Sequence, residues 1–360
     1  MKKMIKCSMV TALFGVAVGP AMAQTSSVTI SGVLDTGINY VNHVGDGTQS
    51  KVSAVNSILG VSNIGFRGKE DLGNGLSAVF NLQAGFNPTD GTQSAKGQLF
   101  SRNAYVALEG GFGALTVGKQ WNFNDDWLVG NVFQGGYNSG AIFKFSEFDA
   151  VSEIYNNTIK YVTPTAGGLQ GGLMYSAGEV AGNNAAGSVY NIALQYKQGP
   201  FFFAASYDNE KDGGAVNNTG NTYKLFTLGG NYSFGLARVR VGYSNSNISG
   251  PGSFQSIPSL SARKANAFEV GLDYKVTPVF TISGDALYRK NTTLSNNTKV
   301  YRVLGVYSLS KRTSLLANVA HLVNGDGASE TLVSTNSSAA GGGLANQTQT
   351  SVTLGIRHVF

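Results

Sequence analysis

Asp125, Asp126, Glu147, Asp149 and Glu153 fall within one long stretch, Trp121 to Ile154, that lacks a regular alternation. The same stretch carries Trp121, Phe123, Trp127, Phe133, Tyr137, Phe143, Phe145 and Phe148. Clustered acids can hold a metal, move protons or set a fixed field. The first two uses find no support. The 3 histidines, His43, His321 and His358, have no ligand spacing and none stands in a nucleophile motif. Gly73-Asn74-Gly75 fits a loose nucleotide-binding pattern through Ala78, but a strand pattern follows it where a helix is needed. A tight hairpin is the reading there, since glycine and asparagine accept positive φ. Neither catalysis, cofactor nor metal is expected. Fixed charge acting on whatever passes is what remains, and its strength depends on the surrounding elements.

Those elements begin after an export signal. Lys2, Lys3 and Lys6 precede the apolar run Met9 to Val18, and Ala21-Met22-Ala23 offers small residues for cleavage. Residues 1–23 are read as a signal peptide and 24–360 as one domain. Cys7, the only cysteine, lies in the signal, so an exported chain without disulfides is expected. The mild positive charge and the lack of a Lys/Arg block argue against nucleic acid.

Charged residues are 13% of the chain, about half the usual share. A soluble protein would need more for its surface, whereas a wall facing hydrocarbon would not. No segment after the signal has the roughly 18 consecutive apolar residues of a membrane helix. The other way to span a bilayer is a closed β-barrel, in which every backbone N–H meets a neighbouring strand.

Period 2 supports the barrel. Val28, Ile30, Leu34, Ile38 and Tyr40 oppose Thr29, Ser31, Asp35 and Asn39. Phe268, Val270, Leu272, Tyr274 and Val276 oppose Glu269, Asp273 and Lys275, and Arg238, Arg240 and Ser244 share a face. His43 to Ser57 reads as a loop. About 16 strands are expected, with short turns alternating with long loops as in an outer-membrane up-and-down antiparallel barrel. That number leaves an aqueous lumen. Tyr40, Phe86, Tyr175, Phe234, Tyr288 and Phe360 are placed in the interfacial girdles. The stretch 121–154 is expected to fold into this lumen and set its width and charge. A disordered surface loop would carry fewer aromatics.

The segments SSVTISGVLDTGINY, GFRGKEDLGNGLSAVFNLQAGF, LFSRNAYVALEGGFGALTVGKQW, NNTIKYVTPTAGGLQGGLMYS, LSKRTSLLANVAHL and the terminal GIRHVF together resemble the trimeric general porins of β-proteobacteria such as Burkholderia, Bordetella and Neisseria. The resemblance implies a homotrimer in the Gram-negative outer membrane. Its surroundings would be membrane lipid and lipopolysaccharide, and the barrel assembly machinery would read Phe360 as the end signal. It implies passive diffusion of small hydrophilic solutes and ions past an eyelet. In that eyelet Arg67, Arg102 and Lys119 match basic positions, and Asp125, Asp126, Glu147, Asp149 and Glu153 supply the facing acids. Two basic positions of the family are filled here by Asn63 and Ile154, which puts strong anion selectivity in doubt. A channel specific for a sugar, carboxylate or aromatic solute is the alternative. An enzymatic barrel and an adhesin are weaker ones.

Overall fold

The computed structural model describes residues 27–133, 145, 148, 153–213, 220–250, 263–332 and 343–360. The expected signal peptide, 1–23, lies outside the described residues. The strands are β1 (Ser27–Val44), β2 (Gln49–Asn56), β3 (Asn63–Gly73), β4 (Leu76–Gly85), β5 (Asn103–Gly110), β6 (Gly113–Trp121), β7 (Ile154–Val162), β8 (Leu169–Ser176) and β9 (Val189–Gln198). They continue with β10 (Phe201–Lys211), β11 (Thr222–Phe234), β12 (Ala237–Ser249), β13 (Arg263–Thr277), β14 (Phe280–Asn291), β15 (Asn296–Ser308), β16 (Thr313–Gly325) and β17 (Thr348–Val359). From β3 onward each strand pairs antiparallel with the next, and β17 returns to β1 from Val33↔Val359 to Val41↔Ser351. Closure removes the exposed sheet edges.

The 17 strands form a 16-stranded barrel, because β2 and β3 occupy one position. Both lie on the same side of β1: β2 pairs with its second half (Thr36↔Asn56) and β3 with its first (Val33↔Asn63). Gln49–Asn56 is thus a strand, where the sequence reading had a loop. The residues between, 57–62, leave the ladder, and Asp35 holds them. Its Oδ1 accepts from the Ile58 amide at 2.9 Å, and its Oδ2 from Leu59 at 2.7 Å and Gly60 at 3.1 Å. The side chain thereby replaces the pairing that the backbone gives up.

Alternation along the strands divides the wall into two faces. Phe268, Val270, Leu272, Tyr274 and Val276 are exposed, while Glu269 between them is buried. A water-soluble fold buries the reverse set, and a bilayer suits this one. At the hairpin tip Gly73, Asn74 and Gly75 all have positive φ. Tyr40, Phe234 and Phe360 are exposed on the outside, Tyr175 lies beside Tyr190, and Tyr288 beside Phe268. Phe86 instead sits half-buried in an isolated bridge with Gln93. Phe360 exchanges backbone hydrogen bonds with Gly32, and its ring fills the place a Cβ at Gly32 would take.

Candidate functional site on the inner wall

After β6 the chain leaves the sheet and turns back onto the inner faces of β8–β12. A single turn, Asn124–Leu128, starts the excursion. Asn122 Oδ1 accepts from the Asp125 amide at 2.8 Å, and Asn131 Nδ2 donates to Trp127 O at 3.0 Å. The wall holds the loop backbone through polar side chains. Phe123 N donates to Asn191 Oδ1 at 2.7 Å, Asn231 Nδ2 to Asn131 O at 2.8 Å, and Arg240 Nη1 to Val132 O at 2.9 Å. Thr227 Oγ1 donates to Asn124 Oδ1 at 2.6 Å.

Three wall glycines make room for the loop side chains. A Cβ at Gly172 would stand 2.3 Å from the Phe123 ring, one at Gly229 2.4 Å from Val132 Cγ1, and one at Gly242 2.1 Å from the Phe133 ring. Phe145 and Phe148 belong to the same apolar cluster. Phe133 and Phe148 stack at 4.5 Å, and Asn124 Nδ2 donates to Phe148 O at 2.8 Å. Phe123, Trp127, Phe133, Phe145 and Phe148 are thus an anchor on the wall. Tyr137, Phe143, Glu147 and Asp149 lie outside the described residues.

Beneath the anchor lies a charge network that the site reading from sequence did not include. Arg240 is fully buried and donates to Glu269 Oε1 at 3.2 Å, to Asp273 Oδ2 at 3.2 Å and to Asp285. Arg302 donates to Asp285 Oδ2 at 2.8 Å, and Arg238 Nε to Asp273 Oδ2 at 2.7 Å. Buried charges need such pairing. The available signal was the run of charged residues on the inward faces of β12–β15.

Arg102 lies just before β5. Its guanidinium covers the Trp121 ring at 4.7 Å, and its Nε donates to Gln83 Oε1 at 3.4 Å. The carboxylates of Glu153 and Asp125 act on its charge. Arg102 also borders a recess of about 190 Å³ with Ser57, Asn87, Ser94, Ser101 and Ile154. Asp126 pairs with Lys160, which also donates to Trp121 O at 2.9 Å. Arg67 is inward and open, 4.0 Å from Glu109, which Lys69 also reaches at 3.2 Å. Asn63, at one of the absent basic positions, is held by Val61 O and Gln83.

Lys119 differs from the expectation. The ladder is irregular between Gly118 and Gln120, and Lys119 pairs with Ala104, whose strand mates Val106 and Leu108 are exposed outside. Its ammonium therefore points outward, to Asn156 Oδ1 at 2.8 Å. Alternation gives the same outward side, which Lys119 shares with the exposed Leu115 and Val117.

A closed transmembrane barrel with a polar interior and a segment docked on its inner wall defines an outer-membrane channel. Residues 10–327 match the Gram-negative porin family, and the chain belongs to it. It is 32% identical to outer membrane porin protein 32 of Delftia acidovorans, across 99% of this chain and 100% of that one. It is 29% identical to a major outer membrane protein P.IB of Neisseria gonorrhoeae, across 88% of this chain and 94% of that one. Among solved structures it resembles the anion-selective porin from Comamonas acidovorans, with a TM-score of 0.80, 28% identity and coverage of 93% and 100%. The protein is an outer-membrane porin, a channel for passive diffusion.

Proposed function

We propose that Arg102 on the wall, faced by Asp125 and Glu153, sets the charge of the constriction. The observation that carries this is the position of the Arg102 guanidinium, over the Trp121 ring at 4.7 Å where the docked loop begins. A charge in a narrow opening acts on an ion far more strongly than in bulk water. Glu147 and Asp149 are assigned to the same loop, and Asp126 is offset by Lys160. Arg67, more than half exposed, biases the lumen nearer the short turns. With Asn63 and Ile154 in place of basic residues, selectivity is weak. Passing solutes are small, hydrophilic and not chemically changed. Phe360 acts as the assembly signal, and the working unit is a homotrimer, a reading supported by the family.

Zero-current potentials in planar bilayers under a salt gradient test the role of Arg102. Arg102→Ala shifts the potential toward cation preference. An unchanged potential removes Arg102 from the eyelet. The hydroxyl-lined recess beside Arg102 favours a second reading, a channel with a carboxylate subsite. Concentration-dependent block of the current by a dicarboxylate would support that reading.

A further inference from the structure

Residues 57–62, between β2 and β3, make a second inward excursion of the chain. Asn56 pairs with Thr36 and Asn63 with Val33, so six residues fill the two places opposite Leu34 and Asp35. The surplus cannot stay in the ladder and is thrown to one side. That side is the lumen. Ile58 Cδ1 lies over two glycines of the inner wall, 2.7 Å from where a Cβ at Gly37 would stand and 2.0 Å from one at Gly355. Ile58 and Leu59 are buried with Leu304 and Leu316, inward residues of β15 and β16. That apolar patch would otherwise face the water of the lumen, and the segment covers it.

Polar contacts fix the segment at both ends. Ser57 N donates to Asp35 O at 2.8 Å, and Ser62 Oγ donates to the same oxygen at 3.1 Å. On the other side Phe86 N donates to Ser62 O at 2.9 Å. With the three amides on the Asp35 carboxylate, these bonds clamp the backbone in place.

The edge toward the channel is Gly60 and Val61, both partly exposed. No atom lies within 4 Å of where a Cβ at Gly60 would stand, and its φ is outside the left-handed region. Neither packing nor backbone conformation demands glycine there. Val61 lines the Arg102 recess together with Ile154, which follows the docked loop and begins β7. The two inward segments therefore meet at one level of the barrel. Strand order sets them on facing walls. β10 stands eight of the 16 places round from β1, and the turn Asn124–Leu128 lies against β10 and β11.

We propose that residues 57–62 form the second wall of the constriction, and that the missing side chain at Gly60 sets how large a solute can pass. This wall presupposes the constriction proposed beside Arg102. The loop side supplies charge. The facing side supplies none, since residues 57–62 hold no ionisable side chain. It acts by excluding volume, and its clamp keeps the gap constant.

The test places a thiol at that edge. Gly60→Cys, with Cys7→Ser removing the native thiol, gives one reactive site. The refolded full chain is treated with a cationic or an anionic methanethiosulfonate, labelling is verified by mass spectrometry, and single channels are recorded in planar bilayers. Each labelled channel is compared with the same variant unlabelled. Both labels lower the conductance. Under a salt gradient the cationic label shifts the zero-current potential toward anion preference and the anionic label toward cation preference, because either charge now stands in the narrow section. Gly111→Cys, in the short turn after β5 where a Cβ also meets open space, takes the same labels with neither effect. A thiol at Gly60 that does not react, full labelling with unchanged conductance, or an equal effect at Gly111 overturns the second wall. The Arg102 reading fails separately, on an unshifted potential in Arg102→Ala, whatever the labels do at Gly60.

Discussion

Arg240 joins the barrel wall to the loop, since one guanidinium serves three carboxylates and the Val132 carbonyl. Arg240→Met leaves Glu269, Asp273 and Asp285 with less compensation and the loop with one anchor fewer. Removing one member of a buried charge network costs about 3–5 kcal/mol. The expected outcome is a lower melting temperature by circular dichroism together with noisier single-channel current. A quiet channel of wild-type stability would show that the loop is held elsewhere. Residues such as Arg240 were legible as inward charges by parity, but which acids they meet depends on register across four strands. Lys119 was placed in the pore by its match to a basic position of the family, whereas alternation with the exposed Leu115 and Val117 sets it outside.

At the scale of elements, the loop's seat is made by the glycines of the wall as much as by its own aromatics. Gly242→Val places a side chain where the Phe133 ring lies. The ring must move toward the lumen, so single-channel conductance falls; a conductance equal to wild type would contradict the docking. The aromatic-rich stretch 121–154 was recognisable because it broke the alternation, but glycine gives no sign of what it faces. The break between β2 and β3 was hidden for a related reason. Whether Gln49–Asn56 pairs is decided by Asp35 and the β1 backbone, not by its own residues. The loop that walls the Arg102 recess has its own pH dependence. Asp90 accepts from the Thr92 hydroxyl at 2.7 Å, and that bond chiefly holds its carboxyl below the usual range. A depressed value stabilises the fold above the ordinary carboxylate pKa and loses that effect as pH falls through the folded value. The difference in proteolytic nicking between wild type and Asp90→Asn should therefore be present at pH 7. It should shrink as pH falls below the ordinary carboxylate value of about 3.9 when the nicking is assayed with an acid protease.

For the whole molecule, few charges, abundant glycine and aromatics, and period-2 segments between turns were enough to require a closed barrel in a bilayer. The strand count followed from the turns. What composition could not supply is the internal architecture, because the lumen is built from pairs of residues far apart in sequence. Closure by β1 and β17 makes the terminal residue structural as well: Phe360 fills the site at Gly32. Gly32→Val displaces that ring and is expected to lower the yield of folded barrel, measured by heat-modifiable migration on gels. The central claim is a water-filled channel narrowed by a docked loop, through which solutes diffuse without being bound. Single-channel recording of the purified wild-type protein across a series of KCl concentrations tests it most directly. The account predicts discrete, ohmic steps whose size rises in proportion to salt. A silent bilayer, or steps that saturate at low salt, would contradict it.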